Sequence, residues 1–502
     1  QMSLAAFRQT LEKDGVPFDK FREEVRQQIV LQRLREREVD DRVEVSESEI
    51  DQFLAESSGP AAAAPPGEAE PAPRPQPPLP APPPMRPLLV LLHRWFGLSA
   101  AVFLFIAGAT GAVISWDHEL DAWLNPQLFE ARTPGAPRPV AELVAAVEQA
   151  EPRSRVTYHP LSVEPGHAFV VFVAPRVDPA TGQLHALDHN QVAVDPVTAT
   201  VQGRRQWGAV SLSREHLLPF LYKLHYSMHL PESGGIEWGV WLMGVVAMAW
   251  VLDTLIALWI SFPSRAQWRR SFAFRWSAGG HKRVFDLHRS GGVWLFALVL
   301  VLAVTSVSMN LRQQVMRPLV SWFSTLTPSP FDSRTPAPPT RPIEPQVGTA
   351  EVVARAEAEA RRRGWTDPAG AVFLSTDFGV HGVGFFRPGR DHGDGGLGNP
   401  WLYFDSRTGE LAGADVPGSG SAGDLFLQSM FPLHSGRILG LPGRVLVSLM
   451  GVAIATFSVT GVLLWARKRR ARQQVPPQAR AGGPRVAQGE VIRNTTGFGR
   501  TS

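Results

Sequence analysis

The chain has 502 residues, a net charge of +4 and no cysteine, with a mean hydropathy of −0.06. Without cysteine it can hold no disulfide, thiolate metal site, iron–sulfur cluster or covalently attached haem. The near-zero hydropathy averages very apolar stretches with very polar ones, and the basic residues cluster beside the apolar stretches, which leaves a nucleic-acid-binding reading without support.

Residues 2–56 read as soluble amphipathic helix, with Phe7, Leu11, Phe18, Phe21, Val25, Ile29, Leu31 and Leu34 at helical spacings among charges, followed by Ser46-x-Ser48-Glu49 and a second short helix. This stretch resembles part of the N-terminal region of the periplasmic chaperone SurA. An Ala/Pro-rich linker over 57–84 is too poor in apolar side chains to fold. Met85-Arg86-Pro87 is a plausible native start. Because a periplasmic chaperone piece conflicts with the orientation derived below, residues 1–84 are expected to be a fusion or start-site artefact without a part in the main activity.

Four stretches, 95–115, 240–262, 292–309 and 445–465, approach the roughly 20 apolar residues that a membrane span requires. With their flanks they give spans over 85–116, 217–263, 287–310 and 425–467. The first is too long for a cleaved signal peptide. Between the second and third spans, in and beside the loop 264–286, lie Arg265, Arg269, Arg270, Arg275, Lys282, Arg283 and Arg289 against Asp286 alone, and the tail 468–502 with Arg467 before it opens on Arg467, Lys468, Arg469, Arg470 and Arg472. The positive-inside rule places these stretches and both termini in the cytoplasm, and turns the connections 117–216 and 311–424 outward.

Each outward connection shows a helix and then short alternating strands. In the first these are Val140–Ala150, 167–174 and Gln191–Val194; in the second, 349–363, 371–375, 380–386 and 401–404. The spans repeat too. Leu92-His93-Arg94-x-x-Gly97 recurs as Leu287-His288-Arg289-x-x-Gly292, while Leu224-His225 and Leu433-His434 precede Leu242-Met243-Gly244 and Leu449-Met450-Gly451 at nearly equal spacing. The chain is therefore expected to be an α-helical integral membrane protein, a four-span bundle made by tandem duplication, with two periplasmic α+β modules.

The duplication sorts four histidines into two layers. His93 and His288 share a cytoplasmic depth; His225 and His434 share a periplasmic one. A single interfacial histidine reads as a headgroup anchor. Four in duplicated positions read as two pairs of axial ligands, each pair holding a b-type haem between facing helices, with Gly97 and Gly292 leaving room for the macrocycle. His225 and His229, spaced i, i+4, are expected to face the same way, so that one could bind iron while the other contacts a propionate or substrate; the repeat favours His225 as the ligand, because His434 has no histidine four residues later. His118 could reach the outer haem or the iron substrate but reads first as a solvated interfacial histidine, and Asp253, a carboxylate inside the second span, could accept a proton from a quinol or serve structurally. Gly393-x-Gly395-x-x-Gly398 is rejected as a dinucleotide motif because Asn399-Pro400 and a strand follow it. Asp391, His392 and Asp394 read as a surface loop, and His281 as a solvent-facing loop residue.

The Leu-His-Arg-Trp-Phe-Gly start, the Asp286-Leu-His-Arg start, Pro432-Leu-His-Ser and Gly440-Leu-Pro-Gly-Arg resemble PepSY-associated transmembrane proteins, a group that includes iron-regulated membrane proteins and ferric-siderophore reductases. The resemblance covers about residues 85–472. It implies a bacterial inner-membrane protein with two haem b groups on His93, His288, His225 and His434 that passes electrons to a ferric complex, such as a ferric-siderophore, in the periplasm. The donor would be a quinol or a cytoplasmic reductase, and docking is expected near Tyr222, Tyr226, Met430 and Arg437. The competing readings are a metal-ion transporter, which would need polar residues through the bilayer centre beyond Asp253, and a non-catalytic signalling or protease-modulating protein, which would leave the histidine symmetry without purpose.

Overall fold

The computed structural model describes residues 85–277, 279–338, 340–391 and 395–474. The expected SurA-like segment, the linker, loop residues 392–394 and the tail beyond 474 lie outside the described residues. Residues 85–276 and 284–463 belong to one compact unit. Of the second unit, the described residues are 277, 279–283 and 464–474, where the guanidinium of Arg469 lies over Trp465.

Among the described residues four helical stretches are long and apolar enough to cross a membrane: Met85–Ile114, Trp238–Ser261, Phe296–Ser321 and Leu441–Ala471. Helix α1 (Met85–Ile114) leads into α2 (Asp117–Leu124) and, after a connection that holds a one-turn helix at Pro126–Phe129, α3 (Val140–Ala150). Strands β1 (Ser154–Pro160), β2 (Phe169–Pro175), β3 (Gln191–Val194) and β4 (Val201–Arg205) follow. Next come α4 (Leu217–Ser227), α5 (Trp238–Ser261), α6 (Gly280–Trp294) and α7 (Phe296–Leu311), which runs on through a π-helical stretch, Arg312–Met316. The second half repeats the pattern: α8 (Thr349–Arg362), then β5 (Ala369–Ser375), β6 (Val380–Phe385), β7 (Trp401–Asp405) and β8 (Leu411–Asp415), then α9 (Ala422–Ser435) and α10 (Leu441–Gln474).

The two α+β halves are not separate sheets. Their eight strands form one antiparallel sheet in the order β8-β7-β6-β5-β1-β2-β3-β4. The join is β1 against β5, with Tyr158 opposite Phe373, His159 opposite Val372 and Pro160 opposite Ala371. Each half keeps its own core: Leu143 and Val147 of α3 pack on Phe169, Val171 and Val192, and Val352 and Ala356 of α8 pack on Val372, Val383 and Leu402. Burial of such aliphatic side chains, worth roughly 1.5–3 kcal/mol each, fixes a helix to one sheet face in each half.

The bundle packs where glycine permits. A Cβ at Gly108 would meet the Gly451 carbonyl oxygen at 2.6 Å, and one at Gly451 would meet that of Gly108 at 2.5 Å, so α1 and α10 approach backbone to backbone. At the far end of α1, Trp116 Nε1 donates to Ser448 Oγ at 2.8 Å, and Arg444 donates to the Ser115 carbonyl and pairs with Glu119. A bidentate Arg205–Asp121 pair, at 2.9 and 2.6 Å, ties α2 to strand β4. The sheet is thus joined to α2, which follows the first span, through a buried ion pair.

Candidate functional site

His93 lies on the third turn of α1 and its repeat counterpart His288 lies midway along α6, each more than two turns into its helix. His225 and His434 occupy neither long span. They end two short helices, α4 and α9, that precede the second and fourth spans. The expectation that these two histidines open the spans themselves is corrected: the chain turns between α4 and α5 through Met228 and His229, both with positive φ, and between α9 and α10 through Gly436.

The four imidazoles meet as two pairs. Ring centres of His93 and His288 are 6.2 Å apart, and those of His225 and His434 are 6.1 Å apart. With a metal–nitrogen distance of about 2 Å and roughly 1 Å from nitrogen to ring centre, two axial imidazoles on one metal place their ring centres about 6 Å apart. The observed spacing has that value in both layers. His225 binds Thr110, 17 residues along α1 from His93, which at a helical rise of about 1.5 Å separates the layers by about 25 Å, close to the roughly 30 Å hydrocarbon thickness.

Every Nδ1 is occupied. His93 Nδ1 donates to Asp253 Oδ1 at 2.9 Å, and His225 Nδ1 to the Ala107 carbonyl at 2.9 Å, with Thr110 Oγ1 at 3.1 Å. His288 Nδ1 lies 3.0 Å from Thr460 Oγ1, and His434 Nδ1 lies 3.1 Å from Thr305 Oγ1. Each of those threonine hydroxyls donates back to the carbonyl four residues earlier, at 2.8 Å, and so can only accept from the histidine. The tautomer is therefore fixed with the proton on Nδ1, and the Nε2 lone pair is left for a ligand. Two glycines confine the rings: a Cβ at Gly111 would stand 2.9 Å from His225 Cε1, and one at Gly461 would stand 3.1 Å from His288 Cε1.

The remaining candidates separate clearly. Gly292 faces open space, and a Cβ at Gly97 would stand 4.0 Å from Asp253 Oδ2. His229 does not share a helical face with His225, because it lies beyond the left-handed end of α4. Its Nε2 donates to the Phe220 carbonyl at 2.8 Å and its ring stacks on Phe220. His118 is exposed and donates to Asp117, a hydrogen bond that raises its pKa. Met430 is buried and so cannot form a docking surface. Tyr222 and Tyr226 are half-buried in edge-to-face contact, and Arg437 lines a cavity of about 220 Å³ with Asp391, Asn399, Trp401, Gln428 and Phe431. Gly395 and Gly398 have positive φ and lead to strand β7, not a helix. His281, half-buried, lies near the start of α6. No group of three or more His, Asp or Glu positioned for a bare metal ion occurs among the described residues.

Sequence reasoning missed Thr110, Thr305 and Thr460, the partners that orient three of the four rings. The signal was present: Thr110-Gly111 and Thr460-Gly461 are matched dipeptides inside spans, pairing an acceptor with a site that clears the imidazole.

Four helices of this length and apolarity together with a large antiparallel sheet fit a membrane protein with α+β modules. The sequence profile described as the PepSY-associated TM region matches residues 90–468, and the chain belongs to that family. A separate, short likeness joins it to the chaperone SurA. The protein of that name from Methylobacillus flagellatus is 57% identical over 58 residues, which is 12% of this chain and 13% of the chaperone. SurA of Ralstonia nicotianae is 46% identical over 63 residues, again 12% and 13%. The chain thus spans about an eighth of the length of these curated relatives.

Proposed function

We propose that the chain is a di-haem b electron-transfer protein of the bacterial inner membrane that reduces ferric iron, held in a siderophore or similar complex, on the periplasmic side. The observation that carries this reading is the pair of histidine layers, each with ring centres about 6 Å apart and each Nδ1 already engaged.

The residues suit the group in chemistry as well as spacing. His93 and His288 would hold one haem, and His225 and His434 the other. In the first layer the arginines that follow the ligands, Arg94 and Arg289, each have a buried Nε without a hydrogen-bond partner. An orphaned guanidinium nitrogen is costly unless an anion meets it, and haem propionates are such anions. Bound haem supplies one-electron exchange between ferric and ferrous iron. The protein's part is to fix two imidazole tautomers per layer, keep water from the bundle, and space the layers by about 25 Å along the first span.

The basic loop and tail support an orientation with the His93/His288 layer toward the cytoplasm, where a quinol or a cytoplasmic reductase would donate. The sheet and the cavity beside Arg437 then face the periplasm, next to the His225/His434 layer. Ferric iron is a hard ion that oxygen ligands hold tightly; the ferrous ion is less charged and is released more easily.

The test is spectroscopic. Full-length protein expressed with haem supply and purified in detergent should show a Soret band, a reduced α-band of b type, and two haems per chain by pyridine haemochrome. Colourless protein under those conditions ends the proposal. In liposomes, dithionite-reduced protein should then be reoxidised by an external ferric siderophore.

A further inference from the structure

Three of the four imidazoles give their Nδ1 proton to a neutral oxygen: a backbone carbonyl with a threonine hydroxyl beside it, or a threonine hydroxyl alone. His93 alone gives it to an anion, Asp253. The duplication makes this a controlled comparison. Asp253 stands ten residues after Met243, and Thr460 stands ten residues after Met450, in the repeated Leu-Met-Gly segments. At one register position the first half places a carboxylate and the second a hydroxyl, and each reaches the histidine of its own half.

A carboxylate in a spanning helix is expensive, and a threonine there would be cheaper. The Asp253 side chain is only 14% exposed, and no arginine or lysine pairs with it among the described residues. Its charge is therefore directed at His93 alone. We propose that Asp253 makes the His93/His288 site the more reducing of the two and so sets the direction of electron flow; this rests on the di-haem reading above. Two effects act in the same sense. A carboxylate that accepts the Nδ1 proton raises electron donation from Nε2 to a bound metal. A fixed negative charge at low local dielectric also favours ferric over ferrous haem, since the ferric form carries one more positive charge. The His225/His434 layer has no such anion, so an electron placed on the inner layer runs downhill to the outer one.

The experiment is a redox titration of the full-length, haem-loaded protein followed at the α-band. Two one-electron steps are expected, and the lower one should be the signal that H288A abolishes. D253N and D253T should raise that lower midpoint by at least tenfold in the ratio of ferric to ferrous stabilisation, about 59 mV for one electron, and leave the other step in place. T460D, which adds a carboxylate on the opposite ligand, should lower it. A lower-potential step that survives H288A overturns the inference. So does a lower midpoint that stays put in T460D or in the Asp253 variants while both haems are retained. Should the Asp253 variants lose their haem, H288A and T460D still decide the matter. Protein that binds no haem at all overturns instead the reading on which this rests.

Discussion

At the scale of single residues, the choice between His225 and His229 turns on one backbone event. Met228 closes α4 in a left-handed conformation, so the i, i+4 relation that would place both imidazoles on one face ends before His229. His229 instead donates to the Phe220 carbonyl and stacks on that ring. H225A should therefore cost one haem per chain, whereas H229A should keep two and lose only the worth of a buried hydrogen bond, about 0.5–1.5 kcal/mol of stability. Haemochrome stoichiometry beside a thermal melt checks both, and loss of a haem in H229A would reverse the assignment. The four paired histidines were legible because Leu-His repeats stand out against apolar sequence. Their threonine partners were harder to see, because a hydroxyl within a span satisfies itself on the i−4 carbonyl and only the repeated Thr-Gly dipeptide marks two of the three. Asp253 was visible as an expense but not as a contact, since nothing in one strand of sequence says that its helix faces α1 at His93.

Among the elements, α9 shows how a short helix that carries His434 is anchored at its start. Ser421 accepts from the Asp424 backbone N–H while the Asp424 carboxylate accepts from Ser421, a reciprocal capping box. Asp424 also accepts from the backbone N–H and hydroxyl of Thr327, which pins the helix to the chain that leaves the third span. Burial alone would raise the Asp424 pKa, but these hydrogen bonds, first those from the Ser421 and Thr327 backbones, hold it below the ordinary carboxylate value. A lowered folded pKa means stability that is fully present above the unfolded value near 3.9 and fades as pH falls through the lowered one. S421A should cost about 1 kcal/mol. D424N should be less stable near neutrality and show a flatter stability profile between pH 5 and about 2, read by thermal unfolding at each pH. The breaks that make α4 and α9 separate helices were hard to read because Gly436 and the Met228–His229 turn interrupt the chain without a polar stretch to announce them. Strands β1, β4 and β8 lacked clean alternation for a related reason. The burial of β1 is interrupted, and β8 is an edge strand whose residues remain largely exposed, so two-residue periodicity is weak in each.

For the whole molecule, the duplication is used twice, once in each layer of architecture, and each time the halves are joined instead of stacked. The two α+β modules read from sequence as separate units because each has a helix, a strand set and a core of its own. Only the register of β1 against β5 unites them, and strand pairing between distant segments leaves no local trace. The bundle follows the same rule. His93 and His225 come from the first half, His288 and His434 from the second, and each observed pair takes one ring from each half. This arrangement makes a prediction that no count of histidines could make. Two double variants each remove two of the four rings. H93A with H288A empties one layer and should leave one haem per chain with ordinary low-spin bis-histidine spectra. H93A with H225A takes one ring from both layers, so no bis-histidine site survives, and the low-spin signal should vanish. If pairing instead ran within each half, the outcomes would exchange: the first variant would lose both sites and the second would keep the His288 and His434 pair. The distance between the layers forbids that exchange, because a single iron cannot span about 25 Å of helix. Low-spin haem retained in H93A with H225A would therefore overturn the layer assignment and the duplicated-bundle reading together.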